Sequence, residues 1–206
     1  MPLQRNFYAR DTALVARDLL GKILVHRSKT GLLKGKIVET EAYYGSKDPA
    51  SRAFGKSLEN AGMSAQMFKL VGTSFVYMVH NNWLFNIVAR DLNTDAGAVL
   101  IRALEPVLGI EQMFKNRGLD PKVNRIKDLC SGPGKLTKAF GIEKKHSGLD
   151  LTIGKDIWID IEERKEKFEI ESSNRIGVSK DLPEKLRFYI KNNPFVSKNI
   201  KKSSFE

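Results

Sequence analysis

The sequence predicts one domain of the mixed α+β class. Its 206 residues, 41% of them hydrophobic, suffice to bury a substantial core and are typical of a single domain. Pairs of β-branched and aromatic runs joined by turn-forming residues indicate hairpins, and amphipathic stretches indicate helices. Because no repeat or second core is apparent, we expect a single domain over 1–206, in which 198–206 form a basic, flexible tail.

The first part of the chain reads as a helix followed by two strands. Asp11 or Thr12 can cap a helix that runs to Leu20, and Gly21 ends it. Strands are then predicted over 22–27 and 36–43, followed by a polar loop over 45–62.

A second hairpin is marked by two aromatic and β-branched runs. Residues 74–79 and 83–90 flank the connection His80-Asn81-Asn82. Asparagine tolerates the backbone conformations of tight turns. The hairpin is therefore expected to carry an imidazole at its tip.

The remainder of the chain alternates short helices and strands. A buried strand over 98–104 has Arg102 as its one charge, and Pro106 can begin a helix that ends near Gly118. The other predicted elements are a tight turn and helix over 131–140, strands over 158–161 and 186–190, and a charged, flexible stretch over 162–169.

The chain is strongly basic. Its formal net charge is +11 and its pI is about 9.7, which favours attraction to phosphate backbones or anionic membranes. The segment 115–145 holds nine basic residues against three acidic ones. Charge alone does not choose between a nucleic-acid surface and a solvated basic face.

Cysteine and histidine usage argues against disulfides and metals. Cys130 is the one cysteine, so an internal disulfide and a cysteine-based zinc site are excluded, and a buried thiol inside the cell is expected. The three histidines are far apart in the sequence, so we expect no metal and no organic cofactor. The absence of a long apolar run or a secretory signal favours an intracellular protein that does not cross a membrane.

One strand combines acid and aromatic side chains. Strand alternation places Glu39, Glu41 and Tyr43 on the same face. On a basic chain, this combination suits an enzyme that acts on the bond between sugar and base in a nucleic acid. The acid would activate water, and the ring would hold the base.

Several further segments complete an ordered set. They are Glu39-Thr40-Glu41-Ala42-Tyr43, Phe75-Val76-Tyr77-Met78-Val79, Asn86, Arg102-Ala103-Leu104-Glu105-Pro106, Leu129-Cys130-Ser131-Gly132-Pro133-Gly134-Lys135-Leu136 and Leu186-Arg187-Phe188-Tyr189. Together they resemble the 3-methyladenine (alkyladenine) DNA glycosylases from about residue 12 to residue 197.

The resemblance implies a curved antiparallel sheet with surrounding helices and a protruding hairpin. It also implies an enzyme that flips an alkylated or deaminated purine out of double-stranded DNA and hydrolyses its N-glycosidic bond with water. The substrate class would include 3-methyladenine, 7-methylguanine, hypoxanthine and ethenoadenine. We expect a monomer that leaves an abasic site and has no lyase activity, because no lysine matches a Schiff-base position.

The resemblance also implies roles for individual residues. Glu41 matches the general base and Arg102 the arginine that positions the water, and this arginine would keep the carboxylate ionised despite burial. Tyr43 and Tyr77 match the aromatics that enclose the extruded base, and Asn86 matches the asparagine at its minor-groove edge. The residues alone leave structural roles open, such as an ion pair of Arg102 with Glu39 or Glu105.

Two positions depart from the family pattern, and a third has two possible roles. Arg52 stands where the family has a base-contacting histidine, and its charge would repel a cationic purine, so neutral lesions could fare better. His80 matches a tyrosine that fills the gap left by the flipped nucleotide, but the hairpin tip is one residue shorter. Lys135 follows a glycine-rich turn that can contact phosphate or simply begin a helix.

Two rival functions follow from the same residues. A DNA-binding module without catalysis is conceivable because of Arg52 and the shortened hairpin, although the presence of Glu41 and Arg102 argues against it. A glycosidase with paired carboxylates is remote, because Glu39 and Glu41 share one strand face and do not flank a sugar site.

Overall fold

The computed structural model describes residues 1–161 and 167–197. These residues form a mixed α+β fold around one antiparallel sheet, as the sequence predicts. The helices are α1 (Arg5–Tyr8), α2 (Thr12–Asp18), α3 (Ile110–Arg117) and α4 (Pro133–Phe140). The strands are β1 (Ile23–Ser28), β2 (Gly31–Tyr44), β3 (Ser74–Val79), β4 (Asn82–Val88), β5 (Gly97–Leu108), β6 (Ile157–Asp160), β7 (Ile170–Ser173) and β8 (Arg187–Ile190).

The long strand β2 organises the curved sheet. The strand order is β3-β4-β5-β2-β1-β6, and β8 pairs with both β2 and β7. Strand β1 pairs with the first half of β2, whereas β8 pairs with Glu39–Glu41. The segment that carries the two acids therefore has a neighbouring strand on each side.

A local irregularity in the sheet lies beside these acids. The register between β2 and β5 shifts between Ile37 and Glu39 and again between Glu39 and Thr40. Arg102 lies at the second shift, between the partners of Glu39 and Thr40. Such bulges bend a strand and redirect side chains, and they are frequent beside active sites.

Two apolar clusters support the sheet. In the larger one, α2 packs against β2 and β5, and α4 packs against β4, β5 and α3. The smaller one, built on Met67, Phe75 and Ala98, lies beneath Tyr43 and Tyr77. Cys130 is buried in the larger cluster, and burial raises the pKa of its thiol to about 12, as expected of an inert interior thiol.

The helix predicted from Pro106 begins later than expected. Strand β5 continues to Leu108, and Pro106 pairs opposite Gly35 at another register shift, where a missing N–H is tolerated. Helix α3 starts after Gly109, which has a positive φ of 80° and would place a Cβ 2.5 Å from Leu33. Only glycine fits that junction without strain.

Other differences concern short elements. Helix α1 and strand β7 carry too little periodicity to be predicted from their four residues each. The first five residues of the stretch predicted to be flexible, 162–166, and the predicted tail, 198–206, lie outside the described residues. Among the described residues, no helix has the length and apolar character required to span a bilayer.

Candidate active site

A cavity of about 1370 Å³ opens beside β2, β3 and β5. This volume exceeds the roughly 300–1,000 Å³ of typical small-molecule sites. The cavity therefore has room for a nucleobase and part of the attached sugar-phosphate backbone. Seven of the eight residues singled out in the sequence line it: Tyr43, Arg52, Tyr77, His80, Asn86, Arg102 and Lys135.

The eighth residue, Glu41, lies directly behind the cavity wall. Its side chain is fully buried. Oε2 accepts from Tyr43 Oη at 2.7 Å and from Arg102 Nη1 at 3.0 Å, and Oε1 accepts from the backbone N–H of Ile176 at 2.7 Å. All three donors belong to residues that line the cavity. A carboxylate has about four acceptor positions, so Oε1 retains capacity for one more donor.

Glu39, two residues earlier, accepts four hydrogen bonds. Its Oε1 accepts from Arg102 Nε at 2.9 Å, from Arg187 Nε at 2.7 Å and from Ser197 Oγ at 2.8 Å. Its Oε2 accepts from the Ser197 backbone N–H at 2.7 Å. A carboxylate held by four donors from two arginines and a serine is suited to a structural role.

Arg102 links the two acids. Burial acts to lower the pKa of its guanidinium, but the charges of Glu41 and Glu39 outweigh burial and raise it. Of the ion pairs left open by the sequence, the one with Glu39 is present, while Glu105 instead pairs with Lys36 at 3.3 Å. Arg102 is therefore a permanent cation that touches both carboxylates.

The two tyrosines are held by different neighbours. Burial, and then the Glu41 charge, raises the pKa of Tyr43 well above its usual value, so its hydroxyl remains a donor to Glu41. Burial likewise raises the pKa of Tyr77, against the opposing influence of Arg52. The guanidinium of Arg52 lies 5.0 Å from the Tyr77 ring centroid.

Asn86 is buried on β4 beneath the same cavity. Its Nδ2 donates to the carbonyl of Phe75 at 3.2 Å, across the β3–β4 pair. This bond gives Asn86 a structural role in the β3–β4 ladder. It also fixes the amide where it lines the cavity, so the two roles are compatible.

The hairpin tip is shorter than the three-residue connection predicted from sequence. Asn82 already belongs to β4, and the turn consists of His80 and Asn81, with positive φ angles of 45° and 59°. Two consecutive positive φ angles are typical of the tight turns that fit strand twist. His80 is exposed at this tip and lines the cavity.

The tip rests on the start of α4. A Cβ at Gly134 would lie 2.7 Å from the Asn82 side chain, so a larger residue would separate the two elements. Thr137 Oγ1 also donates to the Trp83 carbonyl at 2.7 Å. Lys135, in the first turn of α4, therefore lies beside the hairpin tip at the edge of one continuous surface.

Four participants in this network were missed in the sequence. They are Arg175, Ile176, Arg187 and Ser197, which contact the acids or their neighbours. Ile176 contributes a backbone N–H, which any residue except proline supplies, so its identity gives no signal. Arg175 and Ser197 are single polar residues without a distinctive spacing, whereas Arg187 lies in the segment 186–189 that carries the resemblance but is given no role there.

Known proteins are similar to this chain over nearly its whole length. Residues 6–194 match the family model described as methylpurine-DNA glycosylase. A relative from Carboxydothermus hydrogenoformans is 45% identical, covering 96% of this chain and all of the relative. Relatives from Clostridium perfringens (strain SM101) and Salinibacter ruber are each 40% identical, covering 96% and 95% of this chain and 100% and 96% of their own lengths. All three are provisionally named 3-methyladenine DNA glycosylase.

The match covers nearly the whole chain, including both acids, the two tyrosines and the hairpin. The resemblance inferred from sequence motifs is confirmed. The chain belongs to the methylpurine-DNA glycosylase family and is a DNA glycosylase, a hydrolase of DNA repair.

Proposed function

We propose that this protein excises 3-methyladenine and related damaged purines from double-stranded DNA by direct attack of water, leaving an abasic site. The observation that carries the proposal is that Tyr43, Tyr77 and Arg102 line the same cavity, with the buried Glu41 bonded to Tyr43 and Arg102. The names of the relatives also refer to 3-methyladenine, which supports this substrate.

The cavity suits an extruded purine. A base inside a duplex is inaccessible, so it must rotate out at a cost of a few kcal/mol, which is smaller for damaged or mispaired bases. The rings of Tyr43 and Tyr77 offer aromatic surface, which attracts the positive charge of an N3- or N7-alkylated purine. Asn86 lies nearby to contact the edge of the base.

Glu41 is the proposed base for the attacking water. Glu39 already accepts four hydrogen bonds from Arg102, Arg187 and Ser197, whereas Glu41 accepts three and retains acceptor capacity on Oε1. Arg102 compensates the negative charge of Glu41 and lies in the cavity, where it can orient the same water. An alkylated purine is already a good leaving group, so no strong acid is required of the protein.

The basic side of the cavity is proposed to hold the DNA. His80 would enter the gap left by the flipped nucleotide as a small wedge. Lys135, with Arg125 and Lys127 from the basic segment, lines the same cavity and would contact phosphate. These roles give affinity and orientation, not chemistry.

The activity can be tested on a panel of duplexes. Single-turnover assays with 3-methyladenine, 7-methylguanine, hypoxanthine or ethenoadenine should show excision of at least one purine and an intact abasic strand. Borohydride should trap no covalent adduct, because water is the nucleophile. Tight binding without excision of any lesion would instead support the rival reading of a DNA-binding module, and a trapped adduct would exclude the direct attack of water.

Arg52 is proposed to shift the substrate range toward neutral lesions. Its guanidinium lies over the Tyr77 ring, where a base would stack. Repulsion between two unit charges about 4 Å apart in water is on the order of 1 kcal/mol, or about fivefold in rate. Replacing Arg52 by histidine should therefore raise the ratio of 3-methyladenine to hypoxanthine excision about fivefold, as measured in single-turnover reactions.

A Lys135→Gln variant is the matched control for this measurement. It removes a positive charge from the same cavity but not from the Tyr77 ring, so it should weaken binding of both duplexes equally and leave the ratio unchanged. An Arg52→His protein with the wild-type ratio would show that Arg52 does not select the lesion.

A further inference from the structure

The side chain of Arg175 carries a charge but is completely buried, although the residue borders the cavity. Its side chain and that of Asp48 are 0% exposed. Nη1 and Nη2 donate to the two Asp48 oxygens at 2.6 and 2.8 Å, and Nε and Nη2 donate to Asp181 Oδ1 at 2.9 and 2.7 Å. The remaining Nη1 hydrogen bond goes to the Ala42 carbonyl at 2.9 Å. All five N–H donors of the guanidinium are therefore in use.

These contacts fix the strand segment between the proposed base and the proposed stacking ring. Ala42, whose carbonyl Arg175 holds, lies between Glu41 and Tyr43 in the chain. The guanidinium also lies 4.6 Å from the Tyr43 ring centroid and covers one face of that ring. A purine can then stack only on the opposite face of the Tyr43 ring.

The same residue delivers a hydrogen bond to the carboxylate. The peptide that follows Arg175 supplies the Ile176 N–H, which donates to Glu41 Oε1 at 2.7 Å. The Arg175 side chain is bonded to Asp48 and Ala42, and its backbone N–H donates to Asp181 Oδ2 at 3.1 Å. These bonds oppose a shift of the peptide. Arg175 thus controls one of the three donors that orient Glu41.

Stability alone is a weak explanation for this arrangement. Burying an arginine with carboxylates costs desolvation energy that the ion pairs often only offset, and apolar residues can hold two segments together as well. A planar fork with five directed donors instead fixes geometry, which suits a site where small displacements reduce rate.

We propose that Arg175 is a positioning residue of the reaction: it holds the Glu41 carboxylate and the Tyr43 ring in place without touching the DNA. This inference rests on the proposed function, since it takes Glu41 as the base and Tyr43 as a stacking surface. It assigns a role to a residue of the 174–182 segment, far in sequence from both acids.

The first test is an Arg175→Lys variant, which keeps the charge but loses the fork. We expect the saturating single-turnover rate of excision to fall by about tenfold to 100-fold, as for a misplacement of about 1 Å. The dissociation constant for damaged duplex should stay within about twofold of wild type. Arg5→Lys is the matched control, because Arg5 pairs with Asp150 away from the cavity and its loss should leave the rate unchanged.

A merely structural role is separated from positioning by a double-mutant cycle. Because part of the effect of Arg175 passes through Glu41, adding Arg175→Lys to Glu41→Gln should reduce the residual rate by clearly less than Arg175→Lys reduces the wild-type rate. The inference would be overturned if the two substitutions reduced the rate by the product of their separate effects. It would also be overturned if folded Arg175→Lys protein kept the wild-type rate. Failure of the proposed function would look different, because Glu41→Gln alone would then excise at the wild-type rate.

A milder variant covers the case in which Arg175→Lys does not fold. Asp181 is 17% exposed, and Asp181→Asn preserves its shape while weakening its bond to the guanidinium. We expect a smaller fall in rate, about threefold to tenfold, with the same weakening of the effect in the Glu41→Gln background. A folded Asp181→Asn protein that keeps the wild-type rate would overturn the inference.

Discussion

Replacing Glu41 by glutamine should lower the single-turnover rate of purine excision by about 10²- to 10⁴-fold, the usual contribution of a positioned general base. Glutamine has nearly the same shape, and its amide oxygen can still accept from Tyr43 and Arg102. Its amide group cannot take a proton from water. Damaged DNA should therefore bind with close to wild-type affinity, while the chemical step is lost.

The amide also brings a modest cost in stability. With its oxygen directed at Arg102, its NH₂ group meets the Ile176 N–H, so one hydrogen bond of the wild-type protein is lost, at about 1–3 kcal/mol. Excision should be compared at a temperature where both proteins are fully folded, as checked by circular dichroism. A folded Glu41→Gln protein that excises 3-methyladenine at the wild-type rate would show that Glu41 is not the base.

Replacing Glu39 by glutamine should instead reduce the free energy of unfolding by about 3–5 kcal/mol, the usual cost of removing one partner from a buried ion-pair network. Arg187 pairs with Glu39 at 2.7 Å and would lose this charged partner while remaining buried. The NH₂ group of the glutamine would also face one of the two Ser197 donors, so that hydrogen bond would be lost. Urea denaturation of both variants measures this effect.

The two substitutions together test whether Glu41 acts in catalysis and Glu39 in stability. They lie two residues apart on one strand and make the same change in charge, so each serves as the control for the other. Glu39→Gln should be the less stable of the two, and Glu41→Gln should retain the lower residual rate under folded conditions. Equal stabilities would contradict the structural role assigned to Glu39.

Strand periodicity predicts the shared face of the two acids and Tyr43 correctly, because alternation depends only on local backbone geometry. It cannot say which acid accepts more hydrogen bonds. The donors that fill Glu39 come from Arg187 and Ser197, which are 148 and 158 residues away in sequence. The Ile176 donor to Glu41 is 135 residues away. Such partners are determined by tertiary packing.

The helix boundary at Pro106 shows a similar limit. Proline at the first position of a helix is common, so the sequence favours a helix there. The protein continues β5 past this point because a register shift opposite Lys34 and Gly35 accommodates the missing N–H. The local preference of proline favours a helix, whereas pairing with β2 favours a strand. The pairing with β2 determines the observed structure.

The sequence predicts the place of the hairpin tip correctly but not its length. Asparagine indicates a turn, and three consecutive candidates, His80, Asn81 and Asn82, leave its limits open. The protein closes the turn at two residues because Asn82 packs against Gly134 and donates to the His80 carbonyl at 2.8 Å. The contact with α4 that fixes the tip involves residues more than fifty positions later.

The central claim is tested most directly by a crystal structure of the Glu41→Gln protein bound to a duplex with one hypoxanthine, a neutral base that stays attached to its sugar. The account predicts an extruded purine between Tyr43 and Tyr77, and a water within about 3 Å of both the amide at position 41 and the Arg102 guanidinium. A purine that lies outside this cavity, or a protein group that fills the space between position 41 and the sugar, would contradict it.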